Sequence, residues 1–360
     1  MTMSTTAQTQ PILAPLTASA IFLVFTLDKG GEQALHEALG DVNGLVRTVS
    51  SRRPATESVS VVFGIGSDAW DRLFSGPRPA RLHPFIELNG ATHRAPATPG
   101  DLLIHIRADR LDLCFELATL LSARIADCTT TVDEVHGFRN FDQRSMIGFV
   151  DGTENPAGLA ADDAVFTTAE TDPDFVSGSY VAVQKYLHNM AAWANISTAA
   201  QEAAIGRSKW GNIEMGDDEQ PANSHVALNQ VTDPDGSSRA ILRANMPFGR
   251  PGMGEFGTYF IGYSADPAVT EEMLSNMFIG KPPGNHDRLL DFSTAVTGSQ
   301  FFVPTADFFD DLPPLAQNGS QQLSTLIAPH SPDPVSPDGS SNPDAASSGS
   351  LNIGSLKEQQ

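Results

Sequence analysis

The sequence predicts an α+β fold built from two tandem ferredoxin-like domains. Between residues 19 and 140, strand-like and helix-like segments follow one another in the order β-α-β-β-α-β. The same theme returns, less regularly, between residues 141 and 312. Forty per cent of the 360 residues are hydrophobic, which is enough to fill two cores of ordinary size.

The first half opens with residues 1–18, which are polar and interrupted by proline, so we expect an irregular lead-in there. Alternating apolar residues predict strands, and helical spacing predicts helices. The predicted strands are 21–27, 56–66, 101–108 and 129–140, and the predicted helices are 30–49 and 111–127. A loop rich in proline and arginine, 76–84, separates the second strand from the third.

The second half has weaker patterns and ends in a change of composition. Its predicted strands are 177–189, 238–245, 257–265 and 301–305, and its predicted helices are 191–207 and 266–280. No aromatic residue follows Phe309, and residues 313–350 contain too few large apolar side chains to offset their ordering entropy. We therefore predict a disordered linker at 313–350, after a second domain at 141–312.

Charge and cysteine content narrow the function. Forty-three acidic residues against 22 basic ones give a formal charge of −21, which disfavours nucleic acid and anionic membranes as partners. The early apolar stretch 20–25 is too short to span a bilayer and lacks the basic flank of a secretory signal, so we expect a cytoplasmic protein. Cys114 and Cys128 then fit buried, reduced thiols, with a disulfide as the alternative.

Three short motifs carry the candidate chemistry. The segment GFVDGTENP places Asp151 in a tight loop, His225 lies in ANSHVALN, and Arg243 lies in AILRANMPFG. Taken alone, Asp151 reads as a turn residue bonded to neighbouring amides, His225 as a structural histidine, and Arg243 as part of an ordinary salt bridge. Their joint occurrence in this order argues for a shared site.

The three motifs together resemble the dye-decolourising peroxidase family, and most closely its compact bacterial type B. The match rests on Gly148, Asp151 and Gly152 of a GxxDG signature, on the SHV histidine, and on LRANMPFG, and it spans residues from about 18 to 305. The resemblance implies a fold of the dimeric α+β barrel type with one haem b per chain in the C-terminal domain. It also implies a peroxidase that reduces hydrogen peroxide and oxidises dyes or phenolic, lignin-like aromatic donors.

The resemblance assigns a role to each motif residue. His225 would be the proximal ligand of the haem iron, with Asp287 accepting a hydrogen bond from its other ring nitrogen; a helix N-terminal acid is the alternative for Asp287. Asp151 would relay the proton of peroxide and Arg243 would stabilise the departing charge. We expect these two side chains to pair, which would lower the pKa of the Asp151 carboxyl.

Other candidates support the haem or the peroxide. Asn245, two residues beyond Arg243, would bond peroxide or a distal water, and Gly152 would lie against the cofactor. Arg207 would hold a haem propionate, or else be a solvated arginine at a helix end. Four aromatic residues are candidate electron relays to bulky donors, with a plain core role as the alternative: Tyr180, Tyr186, Trp193 and Trp210.

The C-terminus carries a separate motif, LNIGSLK at 351–357. It resembles the cargo-loading peptides that dock inside encapsulin shells, which implies that 351–360 binds a shell protein and that the enzyme resides in an encapsulin compartment. Leu351, Ile353 and Leu356 would fill apolar pockets on a flexible tether, and copies on a homo-oligomer would add avidity. The alternative is a tail whose apolar residues bind nothing.

Two other functions compete with the peroxidase. A haem-binding or haem-iron handling protein would need His225 but has little use for Asp151 together with Arg243. A haem-free ferredoxin-like scaffold would need none of the three. The joint presence of Asp151 and Arg243 favours catalysis.

Overall fold

A computed structural model describes residues 8–51 and 59–316, and its first half contains the predicted β-α-β-β-α-β series. The elements are β1 (Ser19–Leu27), α1 (Glu32–Ser51), β2 (Val59–Gly66), α2 (Ser67–Leu73), β3 (Leu88–Asn89), β4 (Arg94–Ala95), β5 (Leu102–Ala108), α3 (Leu111–Ile125) and β6 (Thr129–Phe138). The short α2, β3 and β4 are additions to the prediction. They occupy the proline-rich stretch and the residues around it.

The second half holds more numerous and shorter elements. They are α4 (Leu159–Val165), β7 (Ser179–His188), α5 (Met190–Ala194), α6 (Thr198–Ile205), α7 (His225–Asn229), β8 (Val231–Thr232), β9 (Ser238–Arg239), β10 (Leu242–Arg243), β11 (Met246–Arg250), β12 (Glu255–Ser264), α8 (Pro267–Phe278), β13 (Ser293–Ala295) and β14 (Ser299–Val303). Turns of 3₁₀ helix span Pro251–Met253, Arg288–Asp291 and Ala306–Phe309.

Ten of the described strands form one antiparallel sheet. Its order is β10-β12-β7-β14-β2-β5-β1-β6, with β11 added beside β12 and β13 beside β7. In each half, the four principal strands stand in the order second, third, first, fourth, which is the ferredoxin-like arrangement. The halves join where Phe301 and Phe302 of β14 pair with Gly66 and Ile65 of β2. The predicted α+β fold of two tandem ferredoxin-like domains is confirmed.

The sheet curls so that its two ends meet. A Cβ placed on Gly137 of β6 would lie 2.4 Å from the Cβ of Met246 in β11, so only glycine permits this approach. Lys185 of β7 also pairs with Asp133 of β6 at 2.9 Å. The enclosed face holds a core that draws on both halves: Phe22, Val24, Val62, Leu103, Val135, Val181, Val183, Phe248, Tyr259, Ile261 and Phe301. This is the barrel arrangement that the sequence resemblance implies.

The outer faces of the sheet are covered by helices. In the first half, Leu35 and Leu39 of α1 and Leu117 and Leu121 of α3 are buried against the sheet. Each such side chain stabilises the fold by about 1.5–3 kcal/mol relative to an exposed one. In the second half, α8 packs on the outer face through Leu274, Met277 and Phe278. This packing leaves room between α8 and the sheet for a cavity.

Two elements differ from the sequence prediction. The predicted strand 238–245 is interrupted, because Ser238–Arg239 pairs with β8 in a separate two-stranded sheet while Leu242–Arg243 pairs with β12 in the main sheet. The predicted helix 191–207 is divided into α5 and α6, since Ser197 caps a new helix by accepting the N–H of Ala200 at 3.2 Å. The second departure comes from a polar side chain that replaces a main-chain partner.

The lead-in is irregular, as predicted, but it is not loose in residues 8–18. The Gln10 side chain donates to the carbonyls of Phe63 and Pro304 and accepts the N–H of Phe63. Arg107, itself buried, donates to the carbonyls of Pro11, Ile12 and Ala14. These bonds fasten the segment across β2 and β5.

The cysteines, the membrane-span prediction and the C-terminal segments can also be compared with the structure. Cys114 and Cys128 are buried and unpaired, as expected. Within the described residues, no helix is both long and apolar enough to cross a membrane. The predicted linker at 313–350 falls, beyond residue 316, outside the described residues, and so does the predicted docking peptide at 351–360.

A buried histidine makes the fold sensitive to acid. His105 of β5 has no solvent exposure, and its Nδ1 lies 2.8 Å from the Tyr263 hydroxyl while its Nε2 has no partner. The ring stacks on Phe22, with centroids 4.7 Å apart. Burial, aided by the charge of Arg107, holds the pKa of His105 well below its usual value. His105 therefore stays neutral in the folded chain at an acidic pH at which the same residue is protonated in the unfolded chain.

We predict that stability falls as the pH drops below about 6.5, the ordinary histidine pKa, and that His105→Phe removes part of this loss. The free energy of unfolding of the variant should gain on the wild type by up to about 1.4 kcal/mol per pH unit in the acid range. Denaturant unfolding between pH 7.5 and 5 measures both. Tyr263→Phe is the control: it loses a hydrogen bond at every pH but keeps His105 buried, so its pH slope should stay steep. Parallel slopes for His105→Phe and the wild type would refute the assignment.

Candidate functional site

The second half contains a cavity of about 290 Å³. Its lining residues all lie between Ser145 and Ser293, mainly on β7, β12, α7, α8, the loop that precedes α4 and the segment that contains β9 and β10. Much of the wall is apolar, including Ile205, Phe260, Leu274 and Met277. Many polar and charged side chains are set into this wall, and such a combination of apolar surface with converging polar groups is typical of a small-molecule site. Six of the seven sequence-predicted site residues line it: Asp151, Gly152, Arg207, His225, Arg243 and Asn245.

His225 stands at the first position of α7 and is bonded to Asp287. Its Nδ1 lies 2.6 Å from Asp287 Oδ2, and the carboxylate is fully buried while the imidazole is 28% exposed. A carboxylate can only accept, so the proton resides on Nδ1. In the described residues Nε2 makes no hydrogen bond. This nitrogen therefore offers a lone pair to the cavity.

Local structure fixes both members of this pair. Ser224 caps α7 by accepting the N–H of Ala227 at 3.2 Å, which sets His225 at the helix start. Asp287 caps the 3₁₀ turn Arg288–Asp291 through Oδ1, which accepts the N–H of Leu289 at 2.8 Å. Asp287 thus makes the hydrogen bonds that both sequence alternatives require. One oxygen caps a helix, and the other orients the imidazole.

Asp151 is held by Asn245 rather than by its own loop. Nδ2 of Asn245 donates to Oδ2 and Oδ1 of Asp151 at 3.1 and 3.3 Å. The amide cannot be turned round, because its Oδ1 already accepts the N–H of Ile261 at 3.0 Å. Among the described residues no backbone amide donates to the Asp151 side chain, so the turn alternative is wrong.

The loop that carries Asp151 depends on two glycines. Gly148 and Gly152 have φ of +92° and +79°, a left-handed conformation that other residues adopt only with strain. At Gly148 a Cβ would also lie 2.8 Å from the Lys209 side chain. These bends turn Asp151 toward the cavity, which explains the GxxDG spacing in physical terms.

Arg243 enters the cavity from β10, and its main chain is clamped by Asn155. Asn155 Nδ2 donates to the carbonyl of Arg243 at 2.7 Å, and Asn155 Oδ1 accepts its N–H at 3.0 Å. The guanidinium Nε is buried without a partner. No ion pair within 4.0 Å joins Arg243 to any acid of the described chain, Asp151 included, so the two side chains form no direct salt bridge. Asn245, rather than Arg243, binds the Asp151 carboxylate.

Arg207 lines the cavity but is already paired. Its guanidinium donates to Glu154 at 2.7 Å, to Glu214 at 3.2 Å, and to the side chain and carbonyl of Asn212. Four of its five N–H groups are thereby used, and the side chain is only 12% exposed. The solvated-arginine alternative is therefore wrong. An anion in the cavity would have to share this arginine with two glutamates.

The four candidate relay aromatics separate by burial. Tyr180, Tyr186 and Trp193 are buried, in agreement with the core alternative. Trp210 is 77% exposed and lies 5.9 Å from the guanidinium carbon of Arg144. Only Trp210 of these four presents a ring to solvent.

Sequence reasoning missed three polar residues of the site. Asn155 lies within the GFVDGTENP motif, so its position in that loop is a signal that the sequence does contain. His188 lines the cavity, bonded to Ser293 and Thr258, and burial lowers its pKa to about 4, so it is neutral near pH 7. Arg239 lines the cavity and pairs with Asp266 at 3.0 Å. Nothing in the sequence pattern distinguishes His188 or Arg239 from ordinary strand residues.

Both halves of the chain match models of the same known family. Residues 9–139 match the family model "Dyp-type peroxidase, N-terminal", and residues 142–308 match "Dyp-type peroxidase, C-terminal". The chain is 58% identical over 348 residues to a dye-decolorizing peroxidase of Rhodococcus erythropolis, covering 97% of this chain and 96% of that protein. It is 56% identical over 348 residues to one of Mycobacterium tuberculosis, with the same coverage of both proteins.

Solved structures agree with these sequence matches. The encapsulated DyP-type peroxidase from Mycobacterium smegmatis superposes with a TM-score of 0.84 at 60% identity, covering 86% of this chain and 100% of that one. A variant of DypB from Rhodococcus jostii, solved in complex with haem, gives a TM-score of 0.82 at 51% identity, covering 84% and 97%.

Proposed function

Since the chain belongs to the Dyp-type peroxidase family and is therefore a haem-dependent peroxidase, we propose that its cavity binds one haem b between His225 and the Asp151–Asn245 pair. The single observation that carries this proposal is the state of His225. Its Nδ1 is committed to Asp287, and its Nε2 is free at an apolar cavity. That is the arrangement an iron-binding imidazole requires.

The other residues of the cavity fit a haem as well. The apolar wall suits the porphyrin, and the buried, unpartnered Nε of Arg243 is a polar atom that lacks an acceptor in the protein. Arg207, shared with Glu154 and Glu214, is the candidate partner for a propionate. When bound, haem supplies the redox chemistry: it passes two electrons, taken singly from donors, to one peroxide.

Asp151 and Arg243 divide the work on peroxide between them. The overall reduction, H₂O₂ + 2 H⁺ + 2 e⁻ → 2 H₂O, requires a proton to move from the oxygen nearer the haem to the outer one. The Asp151 carboxylate accepts this proton and delivers it to the outer oxygen, which leaves as water. Asn245 keeps the carboxylate in place for both transfers. The guanidinium of Arg243, which no acid neutralises, stabilises negative charge on the departing oxygen.

Donors and packaging extend the proposal. Trp210 is the candidate surface point for electron transfer from dyes or phenolic compounds too large for the cavity. The M. smegmatis relative is described as encapsulated, and this supports the docking of Leu351, Ile353 and Leu356 in an encapsulin shell. The protein would then act as a homo-oligomer in a cytoplasmic shell compartment. Haem-iron handling does not account for the ordered Asp151–Asn245 pair beside Arg243.

Arg243→Ala should slow the reaction with peroxide by about 100- to 1,000-fold, because one preorganised charge on the leaving oxygen is lost. Stopped-flow absorption of the haem after addition of stoichiometric peroxide measures this rate. Arg243→Lys keeps the charge without the planar fork and should fall between the two. Arg239→Ala, in the same cavity but neutralised by Asp266, is the control and should stay near wild type. Equal rates for Arg243→Ala and wild type would remove Arg243 from this role.

Asp287→Asn should weaken haem binding by about 10- to 100-fold. An asparagine can present its N–H₂ to Nδ1, which would move the imidazole proton to Nε2 and block the ligand atom. Haem transfer to an acceptor protein, followed by the Soret band, gives the affinity. The exposed Asp307→Asn serves as the matched control. Retention of wild-type affinity by Asp287→Asn would contradict the assignment of His225 as ligand.

Deletion of 351–360 should abolish co-purification with a co-expressed encapsulin shell protein while leaving peroxidase turnover unchanged. The triple change of Leu351, Ile353 and Leu356 to serine should do the same, because the docking is attributed to these apolar side chains. Undiminished co-purification of either variant would rule out the docking peptide.

A further inference from the structure

A second group of ligand-type side chains lies outside the cavity lining. His93 Nε2 is 3.0 Å and His286 Nε2 is 3.1 Å from the same oxygen, Oδ1 of Asp291. The three ligand atoms all lie within 4.8 Å of one another. We propose that His93, His286 and Asp291 form a binding site for a divalent transition metal of the zinc type. The proposal does not rest on the role of the haem residues.

The geometry is close to what such an ion requires. With zinc–nitrogen and zinc–oxygen distances of about 2.0–2.2 Å, neighbouring ligands in a tetrahedral site lie about 3.4 Å apart. The two histidine–carboxylate distances already approach this value. The imidazole rings have centroids 4.7 Å apart and planes inclined by 69°, and both Nε2 atoms face the same oxygen.

The backbone that carries the three ligands is fixed. His93 closes the turn of the β3–β4 hairpin, where its carbonyl accepts the N–H of Gly90 at 2.9 Å. A Cβ on Gly90 would lie 2.0 Å from the carbonyl oxygen of Phe278, so the hairpin packs closely on the end of α8. Next to His286, Asn285 donates to the carbonyls of Ala222 and Lys281. Little ordering is therefore left for a metal to impose.

The donor set selects the class of ion. Two imidazole nitrogens and one carboxylate oxygen suit zinc, cobalt, nickel or copper, whereas magnesium and calcium prefer oxygen ligands. Three protein ligands leave one position for water. The side chains of His93, His286 and Asp291 are 19, 24 and 39% exposed, so the ion can enter from solvent. The facing cation, Arg288, lies 4.0 Å from the other oxygen, Oδ2, and so leaves Oδ1 to the metal.

The position of the site suggests its purpose. His93 belongs to the first half of the chain, and His286 and Asp291 belong to the second, so a metal would join the two halves. Asp291 also ends the 3₁₀ turn that Asp287 begins, and Asp287 orients His225. A bound ion would therefore act as a structural clamp on the turn that supports the imidazole.

Zinc titration of the full-length, haem-loaded protein after treatment with a chelator tests the proposal. Calorimetry should show one zinc per chain, and zinc at about 100 times its Kd should raise the Tm by about 4 °C. The Soret band should not change, which would place the ion away from the haem. Magnesium should have no effect.

Variants locate the site. His93→Gln, His286→Gln and Asp291→Asn should each weaken zinc binding by at least about 10-fold and remove the shift in Tm. His136→Gln is the matched control, because it removes a surface histidine that pairs with Glu134 alone, and its zinc affinity should be unchanged. Absence of binding at about 1 mM zinc would overturn the proposal, because even a weak site with a Kd of about 1 mM would be half-filled at that concentration. Equal binding by the wild type and the three variants would also overturn it, since the ion would then lie elsewhere.

Discussion

The carboxylate of Asp287 has no solvent exposure, and a buried charge is costly unless hydrogen bonds satisfy it. Here one oxygen accepts the N–H of Leu289 and the other faces Nδ1 of His225. The first bond starts the turn that follows α8, and the second fixes the tautomer and direction of the imidazole. Loss of the carboxylate would therefore disturb the turn and the ligand together. The proximal side of the proposed haem site therefore depends on this one buried group.

The distal side of the proposed haem site depends on two asparagines in a comparable way. Asn245 holds Asp151, and Asn155 holds the main chain of Arg243. An amide can donate and accept at once, so each asparagine ties a reactive residue to the scaffold without adding a charge. The same Asn245 interrupts the strand between β10 and β11. The irregular strand is thus a consequence of placing an amide where it can reach Asp151.

Much of the fold follows from the sequence because the patterns are local. Alternation and helical spacing were sufficient for β1, α1, β5 and α3. The predicted strand at 238–245 failed because its two ends pair with different strands, β8 and β12, and a change of strand partner leaves no periodic signal. For the site, the motifs indicated Asp151, His225, Arg243 and Asn245, but not their partners: Asp151 pairs with an amide rather than with the arginine. The His93–Asp291 contact joins residues far apart in the chain, which only the folded structure brings together.

The arginines of the cavity wall differ in whether an acidic side chain neutralises them. In the described part of the chain three arginines line the wall: Arg207, Arg239 and Arg243. Arg207 faces Glu154 and Glu214, and Arg239 faces Asp266, so these two are neutralised in a protein of formal charge −21. Arg243 alone among them lacks an acidic partner within 4.0 Å, and its Nε is buried without a hydrogen bond. Two hydrogen bonds between Asn155 and the main chain of Arg243 fix the backbone from which this side chain enters the cavity. In the proposed function, negative charge that develops on peroxide is the missing partner.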